Sequence, residues 1–88
     1  MDADTRADVL KRFAYIEGHL NGVRRMIEED TYCVDVMKQT FAIRRAIAKA
    51  EEKMLAGHLR YCVVEGIRAG DADTVIEELL ELHTLDKR

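Results

Sequence analysis

Residues 31–65 read TYCVDVMKQTFAIRRAIAKAEEKMLAGHLRYCVVE and decide the fold. Apolar residues recur along this stretch at helical spacing, and Gly57 is the only interruption, while Thr31 is the expected N-cap. The apolar stripe consists of Val34, Met37, Phe41, Ile47, Met54, Leu55, Leu59 and Val63. The spacing predicts a single helix of about 35 residues, roughly 50 Å long. Such a rod is too long for a monomeric globule of 88 residues, so we expect it to pair with a second chain.

A shorter helix is predicted before it, over residues 5–29, with Asp4 or Thr5 as its N-cap. Gly18 and Gly22 lie inside this helix, where each costs about 1 kcal/mol of helix propensity. We therefore expect another helix to approach closely at these two positions. The helix carries its own apolar stripe, formed by Leu10, Phe13, Ile16, Leu20, Val23 and Ile27.

A third helix is predicted at the C-terminal end. Gly66 and Gly70 are expected to bracket a loop, and Asp71 or Asp73 to cap a helix that ends near Leu85. Its apolar face is expected to comprise Val75, Ile76, Leu79, Leu80 and Leu82 or His83. The fold class is therefore all-α, with three helices per chain, a long central helix and one domain over residues 1–88.

Composition excludes several classes of protein. The chain has no Pro and five Gly, which is too few turn residues for a β-sandwich or barrel, and two Cys cannot hold a disulfide-rich fold. No run of about 18 apolar residues predicts a membrane span. The acidic start MDADTRAD does not resemble a targeting signal. We expect a cytoplasmic protein with reduced thiols and no membrane partner.

Charge is unevenly distributed along a chain whose formal net charge is −3. Residues 31–60 contain six Lys or Arg and three Asp or Glu, whereas both flanking segments are net acidic. A net-acidic chain is not an obvious nucleic-acid binder, but folding can collect the basic third on one surface. An ordinary solvated helix face explains the same composition.

Three residues suit a metal site. His58 and Cys62 are four apart, so they lie one turn apart on the same side of a helix and can chelate one soft ion. Cys33 is 25 residues before His58, or about 37 Å along a straight helix. If two copies of the long helix cross antiparallel, Cys33 of one chain meets His58 and Cys62 of the other. The dimer would then carry two identical shared sites.

Two thiolates and one imidazole suit Cu(I), which accepts low coordination and prefers sulfur, better than a structural Zn²⁺, which needs four protein ligands. A buried structural Cys and a solvated His are equally ordinary explanations of these residues. Catalysis is less favoured, because a Cys–His nucleophile also needs an orienting group and an oxyanion site. No catalytic residue is therefore predicted, and we expect a sensor or binding protein and not an enzyme.

Two motifs resemble one known family. The pattern R-x3-I-E-G-x3-G-V-x-R-M-I-E-E-D-x-Y-C-V-D-V over residues 12–36 is similar to the first half of the copper-sensitive operon repressor (CsoR) family, and G-H-L-R-x-C-V over residues 57–63 resembles its second signature. The resemblance covers nearly the whole chain. It implies antiparallel dimers, built as four-helix bundles, that pair into tetramers. It also implies repression by binding of the apo form to double-stranded operator DNA, and release of the DNA on Cu(I) binding, which derepresses copper efflux or resistance genes.

The resemblance assigns roles to individual residues. The family's Cys, His, Cys ligand pattern maps onto Cys33, His58 and Cys62, and its supporting Tyr and Glu map onto Tyr32 and Glu78. Residues 1–10 lack the His that nickel and cobalt sensors of the family add. The alternative within the family is a persulfide sensor, which would use Cys33 and Cys62 and would not need the His.

The resemblance also indicates how DNA would be held. Arg12 matches a family DNA-contact position on the first helix, and Lys49 falls at a basic position on the second. A stripe at helical spacing joins Lys49 to further basic residues, namely Lys38, Arg45 and Lys53. Phosphate contacts of this kind give salt-dependent affinity, and no base-reading helix is evident. Two other classes stay open: a metal chaperone or buffer without a DNA role, and a purely structural helical oligomer.

Overall fold

The computed structural model describes residues 1–87, so Arg88, the last residue of the predicted domain, lies outside the described residues. The elements in chain order are α1 (Ala3–Glu28), α2 (Cys33–Gly57), a π-helical segment (His58–Val63), α3 (Val64–Arg68) and α4 (Ala72–Asp86). The part of the chain that the structure describes contains helices and turns and no strand. The predicted all-α class is confirmed.

The predicted long helix is present and runs without a break from residue 33 to residue 68. We call this α2–π–α3 unit the central rod. Gly57 does not interrupt it, because its φ of −65° and ψ of −42° are helical. The rod begins two residues later than predicted, and Thr31 is not its N-cap. The Thr31 amide instead donates to Met26 O over 2.9 Å, which makes Thr31 part of the turn that ends α1.

That turn folds α1 back along α2. Asp30 has a φ of 57°, in the left-handed region that ends many helices. Its amide donates to Ile27 O over 3.1 Å, while the Thr31 amide closes the wider ring to Met26. These two hydrogen bonds satisfy two carbonyl groups at the end of α1 that would otherwise lack partners. The connection to the rod is therefore short.

The core of this helical hairpin follows a seven-residue spacing on both helices. The buried positions are Val9, Ile16 and Val23 on α1, and Ile43, Ala50 and Gly57 on α2. A strict seven-residue repeat is the pattern of two helices packed along a narrow seam. Ala50 is fully buried at this seam, since its small side chain lets the two backbones come close.

Most of the predicted apolar stripe residues are not buried in the single chain. The exposed ones include Leu10, Phe13, Leu20 and Ile27 on α1 and Val34, Met37, Phe41, Leu55 and Leu59 on the central rod. Each helix thus carries a second apolar stripe outside its seam, and the hairpin leaves that stripe uncovered. The principal extents are 56 × 29 × 14 Å, so the helices form one elongated layer.

The N-terminal turn of α1 packs on the rod. Asp2, and not Asp4 or Thr5, is the N-cap, and its carboxylate accepts the Thr5 amide over 2.9 Å. Hydrogen bonding from the Thr5 side chain, and then from its backbone amide, lowers the pKa of the Asp2 carboxyl below the ordinary 3.8. The cap is therefore fully formed above that ordinary value and is lost as the pH falls through the lowered pKa.

The glycines differ from expectation. A Cβ at Gly18 or Gly22 would meet nothing within 4 Å, so the predicted close approach of a helix does not occur within the chain. Gly66 lies inside α3 and not in a loop, because the chain turns only after Arg68. A Cβ on Gly66 would lie 2.7 Å from Val75 Cγ1, which brings α4 against α3.

The loop before α4 is shorter than predicted. Gly70 alone has a positive φ there, of 86°, and Asp71 is the N-cap of α4 as expected, although its side chain makes no capping hydrogen bond.

Within residues 1–87, every helix is too short or too polar to span a membrane.

We predict that the free energy of unfolding of Gly57→Ala is about 1–3 kcal/mol lower than that of Gly18→Ala, because both changes add helix propensity but only the first overpacks the seam. The new Cβ would collide with the Thr5 side chain, whose Cγ2 would lie 2.8 Å away. Thr5→Ala should relieve part of this cost in the double variant. Urea unfolding followed by circular dichroism measures both. Gly18→Ala is the control and should stabilise by up to about 1 kcal/mol, since it adds helix propensity in open space. A stability of Gly57→Ala equal to that of Gly18→Ala would contradict this packing.

Candidate metal centre and basic face

Cys33 is placed at one end of the central rod. It is the first residue of α2, its side chain is exposed, and its thiol is free. The turn between α1 and α2 does not cover the Cys33 side chain, so the thiol stays accessible at this end of the hairpin.

His58 and Cys62 are placed near the other end of the rod, within its π-helical segment. His58 opens the segment, Cys62 lies one turn later, and both are partly buried. Hydrogen bonds in a π-helix span five residues, so each turn is wider than in an α-helix, and such turns are frequent at functional sites. Sequence reasoning missed this segment, because neither a Pro nor a change in apolar spacing marks it.

The three predicted ligands do not meet in one chain. Cys33 and His58 are separated by 25 positions of unbroken helix, or about 37 Å at the α-helical rise. Among residues 1–87, no three His, Cys, Asp or Glu side chains lie close enough together to hold one ion. A donor set with two thiols and one imidazole therefore needs a second chain if it is built from these residues.

The two predicted supporting residues, Tyr32 and Glu78, are both exposed in the single chain. Tyr32 precedes Cys33 and is 68% exposed. Glu78 is exposed on α4, which packs against α3 where Val75 meets Gly66. In the single chain, as far as it is described, neither side chain hydrogen-bonds a predicted ligand. Their supporting role stays a prediction.

The predicted basic residues lie on the hairpin, and two of them are already paired. Arg12 Nε lies 3.2 Å from Asp8 Oδ2, and Lys49 Nζ lies 3.4 Å from Glu52 Oε2. Lys38 and Arg45 are exposed and form no ion pair within residues 1–87. All five side chains keep some exposure, as a phosphate contact requires.

Lys53 lies in a groove where the start of α1 meets the end of α2. The groove encloses about 450 Å³ and combines four carboxylates with two cations. We call it the α1–α2 groove; its charged lining residues are Asp2, Asp4, Asp8, Glu52, Lys53 and Arg60. Arg60, seven residues after Lys53, continues the spacing of the predicted stripe but was not predicted as part of this face.

A polar link between the two hairpin helices was also missed. His19 Nε2 lies 2.7 Å from Gln39 Oε1, and the Tyr15 ring stands edge-on to the His19 ring at 6.0 Å. Residues 20 positions apart carry no sequence signal for such a contact. The link ties α1 to α2 beside Lys38.

A family model described as the metal-sensitive transcriptional repressor matches residues 5–84, which is nearly the whole hairpin, rod and α4. The chain belongs to this family.

Relatives in the metal-sensitive repressor family are similar over most of the chain. The copper-sensing transcriptional repressor CsoR of Mycobacterium tuberculosis (strain ATCC 25618 / H37Rv) is 42% identical over 72 residues, which cover 82% of this chain and 60% of that protein. CsoR of Bacillus subtilis (strain 168) is 35% identical over 74 residues, which cover 84% of this chain and 73% of that protein. The chain thus spans about three fifths of the length of the mycobacterial relative.

A solved structure has the same fold. The crystal structure of the copper-sensing repressor CsoR with Cu(I) from Geobacillus thermodenitrificans NG80-2 superposes with a TM-score of 0.93 at 28% identity. The match covers 100% of this chain and 92% of that one. The architecture of three helical units with a long central one is therefore shared with that family member.

We predict that a Cys33→Ser variant and a Cys62→Ser variant each lose tight Cu(I) binding, and that mixing them restores part of it. In a mixed dimer, one site receives both substitutions and the other keeps Cys33, His58 and Cys62. Random pairing through an isologous interface then gives about one quarter of the wild-type sites. Anaerobic Cu(I) titration against a chelator, after joint refolding, measures the recovery. A mixture that recovers nothing, from chains shown to exchange partners, would contradict a shared site.

Proposed function

We propose that this chain is a Cu(I)-responsive transcriptional repressor whose apo form binds double-stranded operator DNA and whose Cu(I) form releases it. The observation that carries the proposal is the placement of Cys33 and the His58–Cys62 pair at opposite ends of one unbroken rod. In an antiparallel dimer, this placement would bring Cys33 of one chain to His58 and Cys62 of the other. Metal binding would then depend on how the two chains are arranged.

The donor chemistry supports copper. Two thiols and one imidazole form a soft set of three, which is suited to Cu(I) and one ligand short of a structural zinc site. Cys33, His58 and Cys62 would hold the ion, which supplies a bridge between two subunits. The relatives named above are copper sensors, and the solved neighbour contains Cu(I), which supports the same ion here.

The uncovered apolar stripe supports the dimer. Exposed side chains such as Phe13, Leu20 and Phe41 lie outside the seam of the hairpin. Exposed apolar surface on this scale favours an interaction site. An antiparallel partner would bury it in a four-helix bundle and bring each Cys33 to the other chain's His58. Dimers would pair into a homotetramer as the family resemblance implies.

DNA would be held by the basic face of the hairpin. Arg12, Lys38, Arg45, Lys49 and Lys53 are the proposed phosphate contacts. Contacts of this type orient a protein on the duplex and make affinity fall steeply with salt. Their arrangement on two helices packed side by side supports reading of DNA shape.

Coupling between the two sites would run through the residues next to the ligands. If Glu78 accepts a hydrogen bond from the second ring nitrogen of His58, it ties α4 to the metal site. Metal and DNA then favour different arrangements of the same oligomer. By linkage, bound DNA lowers Cu(I) affinity by the same factor as Cu(I) lowers DNA affinity.

Persulfide sensing through Cys33 and Cys62 is the alternative within the family, and nothing observed in the structure or in the named relatives favours it. A metal buffer without a DNA role is the alternative outside the family's function. Persulfide sensing would not need His58, and a metal buffer would not bind DNA.

We predict that His58→Ala abolishes Cu(I)-dependent release of DNA while leaving binding of the apo form unchanged. The imidazole is a ligand for the ion but is not needed for a Cys33–Cys62 reaction. Fluorescence anisotropy with a duplex selected from a random pool by the wild-type protein measures release, which we expect to lower wild-type affinity by about fivefold to 150-fold. Full release of the variant by Cu(I) would refute the ligand assignment. Release of the wild type by a persulfide donor but not by Cu(I) would identify the alternative inducer.

We further predict that Glu78→Ala and Tyr32→Phe keep Cu(I) affinity within a few-fold but weaken DNA release. Both residues are proposed to transmit the effect of the ion without binding it. Chelator competition gives the metal affinity, and anisotropy of the selected duplex gives the release. Glu81→Ala, one turn further along α4 and also exposed, is the matched control. Normal release in both variants would disprove this route of coupling.

A further inference from the structure

Two of the proposed phosphate contacts already have carboxylate partners on their own helices. Arg12 is paired with Asp8 over 3.2 Å on α1, and Lys49 with Glu52 over 3.4 Å on α2. The arrangement is the same on both helices: a cation, and an acid one turn away. A phosphate that binds either cation must compete with this acid.

The two acids also face the same space. Asp8 and Glu52 come from different helices, yet both line the α1–α2 groove, together with Lys53 and Arg60. Asp2 and Asp4 line it too, so carboxylates outnumber cations there. The predicted DNA-binding face is therefore electrostatically mixed where α1 meets the end of α2.

We propose that Asp8 and Glu52 are affinity-determining residues of the DNA interface. They hold Arg12 and Lys49 in competing ion pairs and remain beside the phosphate after it has bound, which limits how tightly apo protein holds DNA. This inference rests on the proposed function, because it needs the basic face of the hairpin to bind duplex DNA.

The exposure of the pairs explains why they can be displaced. The side chains of the Arg12–Asp8 pair are 33% and 42% exposed, and those of the Lys49–Glu52 pair are 49% and 67% exposed. Ion pairs this open to solvent are weak, so phosphate can replace them. The displaced carboxylate is left close to another negative charge, and repulsion between the two lowers the affinity.

A moderate affinity for DNA suits a repressor that must release the DNA when its inducer binds. Nonspecific binding of basic surfaces to DNA is almost entirely electrostatic. Carboxylates placed among the cations weaken that binding directly, and a small coupling to the inducer then suffices to free the DNA.

The test compares Asp8→Asn and Glu52→Gln with the wild type on the same selected duplex. Each substitution should tighten apo binding by about twofold to fivefold for each contacting copy, the worth of an exposed ion pair. The gain should shrink as salt is raised, because the Debye length falls from about 10 Å at 0.1 M to about 3 Å at 1 M.

Matched controls come from two ion pairs of the same spacing outside the groove. Arg24–Glu28 is an i, i+4 pair at 3.1 Å, and Arg68–Glu65 is an i, i+3 pair at 3.4 Å. Glu28→Gln and Glu65→Gln remove the same formal charge as the test variants. We expect them to leave DNA affinity within about 1.5-fold, since neither acid lines the groove.

The possible results separate the inference from the proposed function. Equal tightening in all four variants would reduce the effect to net charge and overturn the inference. Weaker binding by Asp8→Asn or Glu52→Gln would show that the acids orient the cations for phosphate, which also overturns it. Wild-type protein that binds no duplex from the random pool would overturn the proposed function as well.

Discussion

The stiffness of one unbroken helix determines what the rest of this molecule can do. A rod from residue 33 to residue 68 cannot bend back on itself, so chemistry placed at its two ends stays apart within a chain. Only a second rod, running the other way, can bring those ends together. In the hairpin, α1 covers one side of the rod along a seam of residues spaced seven apart. The second apolar stripe of the rod stays free for a partner chain.

How far the sequence reaches depends on whether a feature is periodic. The central helix, its flanking helices and the separation of Cys33 from His58 follow from spacing alone, because helical rise is the same in every protein. Burial was predicted less well: Phe13 and Leu20 repeat at helical spacing, yet only Ile16 and Val23 of that stripe lie in the seam. Two adjacent apolar stripes give one continuous pattern, and spacing cannot say which one the chain itself covers.

Local features with no periodic signal were missed. The π-helical segment around His58 and Cys62 has no mark in the sequence, and the Asp2 cap displaced the expected Asp4 or Thr5. Thr31 looked like the start of a helix but completes the end of the previous one. Cys33, His58 and Cys62 were predicted as ligands from their chemistry, and both their role and their assembly into one site stay proposals.

The π-helical segment lies between two separately packed units. On one side, Thr5 of α1 presses against Gly57; on the other, Val75 of α4 presses against Gly66. The eight residues between these glycines include both His58 and Cys62. The stretch that carries both candidate ligands is therefore held between two close helix contacts, and a change of its length or winding would have to disturb at least one of them.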